Sequence, residues 1–233
     1  MGGFVNDFKC LDCSHCFNRS KLFLLLSKSE LAILNDARLE VTFKKGEIIY
    51  KQGTPLTHIV IIRDGYGKII LEGPKGRNLI LSYTNKYDMN GGVGVFIDLR
   101  HHSSLVAVTD CGACFIEIKA FKAVMRSNPI FLEAYIKEYS ERVLHTYKQI
   151  SILTQKNMEG RMAESILYLN DHSISNGSIP NVSRQDLAEL TAMTKESAIR
   201  VLKGFKVDGL IEIVDHNIYI RNIKGLEQVS LYG

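Results

Sequence analysis

No stretch of this chain is long and apolar enough to cross a bilayer. The longest apolar run near its start, Leu22 to Leu26, covers five residues, where a helical span needs about 20. No secretory signal pattern precedes that run, and low-complexity tracts are missing, so the chain is expected to be folded throughout and without a membrane partner. The cysteines number five, an odd count, and without an export signal they point to a reducing cytoplasm. A nucleophile–base pair or a pair of catalytic carboxylates is also lacking, which leaves an enzyme with little support. Bulk basic charge is absent as well. The net charge over 233 residues is +4, and the segment from residue 156 onward holds 9 Lys/Arg against 10 Asp/Glu. The 20 basic and 15 acidic residues before it are spread out, a distribution that serves solubility.

What is present is organised around Val182 to Leu210, VSRQDLAELTAMTKESAIRVLKGFKVDGL. Ser183 with Asp186 three residues on forms a capping box, opening a helix whose Leu187 and Leu190 share a face. After a break at Ala192-Met193, Thr194 is placed to cap a second helix. There Ala198, Val201, Leu202 and Phe205 make an apolar stripe at helical spacing. The opposite side carries Lys195, Glu196, Ser197, Arg200 and Lys203. Two helices joined by a tight turn, the second with a packed back and a polar front, are the build of a helix-turn-helix that reads DNA. A small helical domain of another kind would share the two amphipathic helices, and Glu196 with Arg200 would also make an ordinary i,i+4 surface pair. The alternation from Ile211 to Ile220 around Asp215-His216-Asn217 adds a β-hairpin, completing a winged helix.

Ile130 to Gln155 reads as one helix, about 40 Å long. Leu132, Ile136, Tyr139, Val143, Thr146, Ile150 and Leu153 follow a four–three spacing, the seam of a coiled coil. The alternative is that this stripe packs on the chain's own barrel. Asn157 caps a further helix over Gly160 to Asn170, and residues 171–181 are expected to form a polar loop. Ahead of the long helix, Val41 to Phe43, Glu47 to Tyr50, His58 to Ile62, Tyr66 to Leu71 and Leu79 to Tyr83 are β-rich runs between glycine turns. They predict an antiparallel barrel or jelly roll, with a helix over Ser29 to Asp36 before it and a turn over Phe121 to Met125 after it.

Two clusters remain. Gly91-Gly92-Val93-Gly94-Val95-Phe96, followed by His101-His102-Ser103-Ser104, is a glycine-rich turn of the sort that lets backbone N–H groups approach a phosphate. A close-packed barrel turn explains the same glycines. Cys10, Cys13 and Cys16 stand at C-x2-C-x2-C spacing, with Cys111 and Cys114 later. Thiolates grouped in this way suit an iron–sulfur cluster or zinc, given a fourth ligand, with reduced thiols on an N-terminal arm as the plain alternative.

From Ser183 to Ile211 the chain resembles the DNA-binding end of the cAMP receptor protein/FNR family of bacterial transcription regulators. The GEIIYKQG run from Gly46 to Gly53 and the Gly160-Arg161 pair extend the likeness to nearly the whole length. The resemblance implies that Glu196 accepts from a cytosine amino group and Arg200 donates to a guanine edge. Ser183, Arg184, Lys195, Ser197 and Lys203 complete the expected DNA-binding set. Ala192 stands where the family has glycine, which costs about 1 kcal/mol if the backbone there is left-handed. Ile199 replaces a small residue. In the effector pocket the resemblance implies Gly91, Gly92, His102, Ser103 and Thr146. An acidic residue that holds ribose in cAMP-binding members is here Gly92. The family's phosphate-binding Arg falls on His102, which has no bidentate fork. Each lost contact costs about 1.5–3 kcal/mol, so tight cAMP binding is not expected. The oxygen-sensing FNR branch implies an iron–sulfur cluster on Cys10, Cys13, Cys16 and Cys114, although the spacing of the first three departs from the family's.

The expected fold is therefore α+β: an N-terminal double-stranded β-roll of the cyclic-nucleotide-binding type, a long dimerisation helix and a C-terminal winged helix-turn-helix. The expected domains are 1–127, 128–156 and 157–233. The expected partners are double-stranded DNA, a second copy of the chain and RNA polymerase. The competing expectation is a cytosolic ligand- or redox-binding sensor whose C-terminal domain contacts a protein.

Overall fold

The computed structural model describes residues 20–171, 178–179, 182–215 and 217–233. Its architecture is the expected α+β. Two compact units divide the chain. One runs up to Ile69 and resumes over Tyr83–Glu141, and the other takes Ile70–Ser82 and Arg142–Gly233.

The first unit opens with a short 3-10 turn, Lys21–Leu25, and helix α1, Lys28–Asp36. Ser27 Oγ accepts from the Glu30 amide while the Glu30 carboxylate accepts from the Ser27 amide, so two orphan donors at the helix start are satisfied together. Eight strands follow along the chain, the end of β4 and most of β5 counting with the other unit: β1 Arg38–Phe43, β2 Ile48–Tyr50, β3 His58–Asp64, β4 Gly67–Leu71, β5 Leu79–Thr84, β6 Met89–Asn90, β7 Ser104–Ala107 and β8 Cys111–Glu117. They form two four-stranded sheets, ordered β1-β8-β3-β6 and β2-β7-β4-β5. Strand β8 lies between β1 and β3, antiparallel to both. Its side chains alternate, so Cys111 and Ala113 join one apolar cluster with Ile49, Val60, Ile62 and Leu105, while Ile116 joins another with Ile59, Ile61, Phe121 and Phe131. Strands β6 to β8 were not separately legible, because Gly112, Ala113 and Ala107 carry little β signal.

Helix α2, Ile118–Ser127, is longer than the expected turn. Its Ile118, Phe121, Val124 and Met125 are buried at helical spacing, while Lys119 and Arg126 are exposed. Helix α3, Pro129–Gln155, begins with proline at a position that needs no N–H donor, and the Asn128 carboxamide oxygen accepts from the Phe131 amide. The exposed apolar residues on α3 overlap the expected seam in part. Its first turns pack on the unit's own core through fully buried Phe131 and through Leu132 and Tyr135. Farther along, Ile136, Leu144, Tyr147 and Ile150 are the exposed apolar residues. Leu144 and Tyr147 thus join the stripe, and Leu132 leaves it.

The second unit contains α4 Met158–Asp171, β9 Ser178–Ile179, α5 Arg184–Leu190, α6 Lys195–Val207, β10 Ile211–Val214, β11 Asn217–Ile220 and α7 Ile223–Tyr232. The Asn157 carboxamide accepts from the Gly160 amide at 2.8 Å, so it caps α4 as expected. The hairpin is present, with Val214 opposite Asn217, although His216 lies outside the described residues. The expected loop over 171–181 is in part ordered structure: α4 continues through Asp171, and β9 pairs with β11, making a three-stranded wing. Two residues of strand are too few for a period-2 pattern to register.

Candidate DNA-reading helix and effector cassette

Helix α5 starts as its capping box requires: Ser183 Oγ accepts from the Asp186 amide at 3.0 Å, and Asp186 accepts from the Ser183 amide at 3.1 Å. The turn after it is locked. Buried Thr191 donates its hydroxyl to the Leu187 carbonyl, Met193 N–H donates to Ala188, and Ala192 sits at φ 51. Ala192 therefore does adopt the left-handed backbone. Thr194 Oγ1 then accepts from the Ser197 amide at 3.2 Å to start α6. Ala198, Val201, Leu202 and Phe205 are buried beneath that helix.

Lys195, Glu196, Arg200 and Lys203 are exposed on α6, and Ser197 is half-buried. Among the described residues Glu196 and Arg200 do not form the i,i+4 pair that sequence spacing allows. Lys195 and Lys203 also have no ion-pair partner there. A surface that keeps its carboxylate and its guanidinium apart leaves both available to an outside partner. Ser183 is exposed at the start of α5 and Arg184 is half-buried, with burial lowering its pKa below the ordinary guanidinium value.

In the first unit, the three glycines of the candidate cassette each have a geometric cause. Gly91 has φ 93. A Cβ on Gly94 would lie 2.1 Å from the Arg100 carbonyl oxygen, and one on Gly92 would lie 2.4 Å from Tyr135 Oη. His102 Nε2 is 3.1 Å from Asp98 Oδ1. His101 is buried, stacked on Tyr50 at 4.1 Å, and its Nδ1 has no hydrogen-bond partner among the described residues. Burial alone lowers the His101 pKa from the ordinary imidazole value. Thr146 belongs to the second unit, where its hydroxyl donates to the Arg142 carbonyl of its own helix. Ser103 is half-buried.

Comparison with known proteins agrees with this layout at both ends of the chain. The cyclic nucleotide-binding domain matches residues 40–128, and the Crp-like helix-turn-helix domain matches residues 160–229. The chain belongs to the CRP/FNR family. The CRP-like cAMP-activated global transcriptional regulator of Mycobacterium tuberculosis is 22% identical over 213 residues, covering 89% of this chain and 95% of the relative. The cAMP-activated global transcriptional regulator CRP of Salmonella typhimurium is 26% identical over 165 residues, 69% of this chain and 79% of its own. A putative crp/fnr-family transcriptional regulator from Eubacterium rectale shares the fold, with a TM-score of 0.76 at 18% identity over 91% of this chain and 98% of that one. DNA-binding regulation of transcription through a helix-turn-helix domain is the activity that accompanies this family.

The residues that CRP/FNR proteins use for a cyclic nucleotide do not fit one here. Gly92 offers no carboxylate, Tyr135 Oη crowds it, and His102 faces Asp98. The cysteines divide differently. Cys111 is buried, its thiol donates to the Tyr66 carbonyl at 3.0 Å, and burial raises its pKa. Cys114 is half-buried, with Arg38 Nη1 3.7 Å from its sulfur. Cys10, Cys13 and Cys16 lie outside the described residues.

One network escaped the sequence. Glu164 on α4 receives Lys148 from α3 at 2.6 Å, Lys156 just past the end of α3 at 3.4 Å, and the Ser230 hydroxyl from α7. Burial pulls the Glu164 carboxyl upward, but the hydrogen bonds from Lys148 and Ser230 and the charges of the two lysines outweigh it. The net pKa lies below the ordinary value. Alongside, a Cβ on Gly160 would lie 2.7 Å from the Gly233 backbone, so α7 can end against α4 only over a glycine. The three elements meet where the long helix gives way to the DNA-reading part. Nothing in the spacing of Lys148, Glu164 and Ser230 announces their meeting.

Proposed function

We propose that the protein is a homodimer that reads a palindromic site in double-stranded DNA and responds to an effector or redox signal other than cAMP. In this reading residues 1–127 are the sensor, 128–156 the dimerisation helix and 157–233 the reader. The observation that carries it is the front of α6, where Glu196 and Arg200 are exposed and, among the described residues, unpaired on a helix whose back is packed. An acceptor and a forked donor one helical turn apart suit a cytosine amino group and a guanine edge in the major groove. Lys195 and Lys203 supply charge to phosphates, and Ser183 and Arg184 stand at the start of α5, the end of a helix that favours anions.

The exposed Ile136, Leu144, Tyr147 and Ile150 on α3 favour pairing with a second copy, because one winged helix reads only a half-site. A signal acts by shifting the balance between two ways the paired helices sit, which resets the separation of the recognition helices. RNA polymerase is the downstream partner, and the cytoplasm the compartment. Selection of the full chain against random duplexes tests the reading. The expected product is an inverted repeat with half-sites about one helical turn apart. Recovery of no motif, or of a single half-site only, contradicts it. Iron content after anaerobic purification decides the redox arm: a colourless, iron-free protein removes the cluster on Cys10, Cys13, Cys16 and Cys114.

A further inference from the structure

We infer that Tyr135 is the residue that shuts cyclic nucleotides out of the cassette, an inference that rests on the non-cAMP reading above and deepens it. A carboxylate able to hold a ribose from position 92 needs a Cβ, and that atom would lie 2.4 Å from Tyr135 Oη but 3.5 Å from Cζ. The first distance is a collision, and the second is ordinary contact. Gly92 is outside the positive-φ region, so glycine is required there by the approach of the hydroxyl and not by the backbone torsion.

The tyrosine cannot swing aside cheaply. Its ring meets Phe121 edge-on at 5.5 Å, and Phe121 meets Phe131, one turn earlier on the same helix, at 5.8 Å. Both phenylalanines are fully buried, and the Asn128 cap fixes the start of the helix that carries Phe131 and Tyr135. The side chain that fills the sugar-reading position is thus anchored in the sensor's own core. His101 brings Cε1 to 3.6 Å from a Cβ built on Gly91, so a second aromatic ring borders the same turn.

The geometry singles out the hydroxyl, which makes the test sharp. Full-length wild type, G92E/H102R and G92E/H102R/Y135F are titrated with cAMP by calorimetry, each checked for folding by circular dichroism. The expected result is silence from the first two and binding by the third at least roughly ten-fold tighter than the second, about 1.4 kcal/mol. Equal binding by the double and triple variants, or no binding by a folded triple variant, overturns the inference. Micromolar binding by wild type instead refutes the non-cAMP reading itself. A second measurement does not depend on ligand: G92A should lower the melting temperature in the wild-type background and much less beside Y135F. Equal losses in both backgrounds also overturn the role given to Tyr135.

Discussion

Replacing Arg200 with Ala separates reading from folding. Arg200 is exposed and has no partner among the described residues, so its removal takes nothing from the fold. Surface substitutions of that kind stay within about 0.5 kcal/mol of stability. Loss of one bidentate guanine contact costs about 1–3 kcal/mol of discrimination. A dimer loses one in each half-site, and sites that far apart add. The expected loss for the selected palindrome is then about 2–6 kcal/mol, roughly thirty-fold to twenty-thousand-fold in affinity. Fluorescence anisotropy with the labelled operator measures it, with random-sequence duplex as the reference. Because Arg200 is assigned to a base, affinity for the random duplex should change far less, and the salt dependence should remain. Lys203→Ala should instead weaken both duplexes alike and flatten the salt dependence. An unchanged operator affinity for Arg200→Ala, or a fall in melting temperature large enough to explain the loss, would refute the reasoning.

Pairing through α3 is tested by Leu144→Glu, which places a charge on the exposed apolar stripe proposed to meet a second copy. Analytical ultracentrifugation should show a monomer with unchanged circular dichroism, and a persistent dimer would move the interface elsewhere. At the junction, Glu164→Gln removes a charge-assisted acceptor and should cost about 1.5–3 kcal/mol in chemical denaturation. Since the Glu164 pKa is lowered on folding, its stabilisation is present above the unfolded value, about 4.3, and disappears as pH falls through the folded one. Glu164→Gln should therefore flatten the acid limb of the stability profile, and an unaltered limb would show the network contributes nothing. His101 acts higher on the scale. Its pKa is lowered on folding, so the unfolded chain takes up the proton first and stability should decline as pH drops below about 6.5. His101→Phe, which keeps an aromatic ring beside Tyr50, should remove that decline, and an identical profile would exclude His101 as its source.

The parts of this molecule that were legible in the sequence are those written in neighbouring residues. Ser183 with Asp186, Thr194 with Ser197, and the Ala198–Phe205 stripe each lie within a few positions, so cap and amphipathic face declare themselves. The helix α3 was legible as a helix but not in its facing. Phe131, Leu132 and Tyr135 are claimed by the first unit's core, and the exposed apolar residues farther along include Leu144 and Tyr147. A four–three count cannot tell which of two partners takes a residue. Contacts such as Tyr135 over Gly92, or Lys148 and Ser230 on Glu164, join positions many helical turns apart in sequence or on different elements and leave no periodic trace. The glycine run illustrates the same limit. It was readable as a phosphate turn, and each of its glycines is accounted for by torsion or close approach within the chain.

The alanine at the bend between α5 and α6 bears on how freely the two helices move against each other. A glycine at that corner would have a wide range of torsions open to it, whereas a methyl group confines Ala192 to a narrow left-handed well around φ 51. The elbow is stiff. With the hydrogen bonds of Thr191 and Met193 across the same turn, it holds α5 and α6 together as a single block.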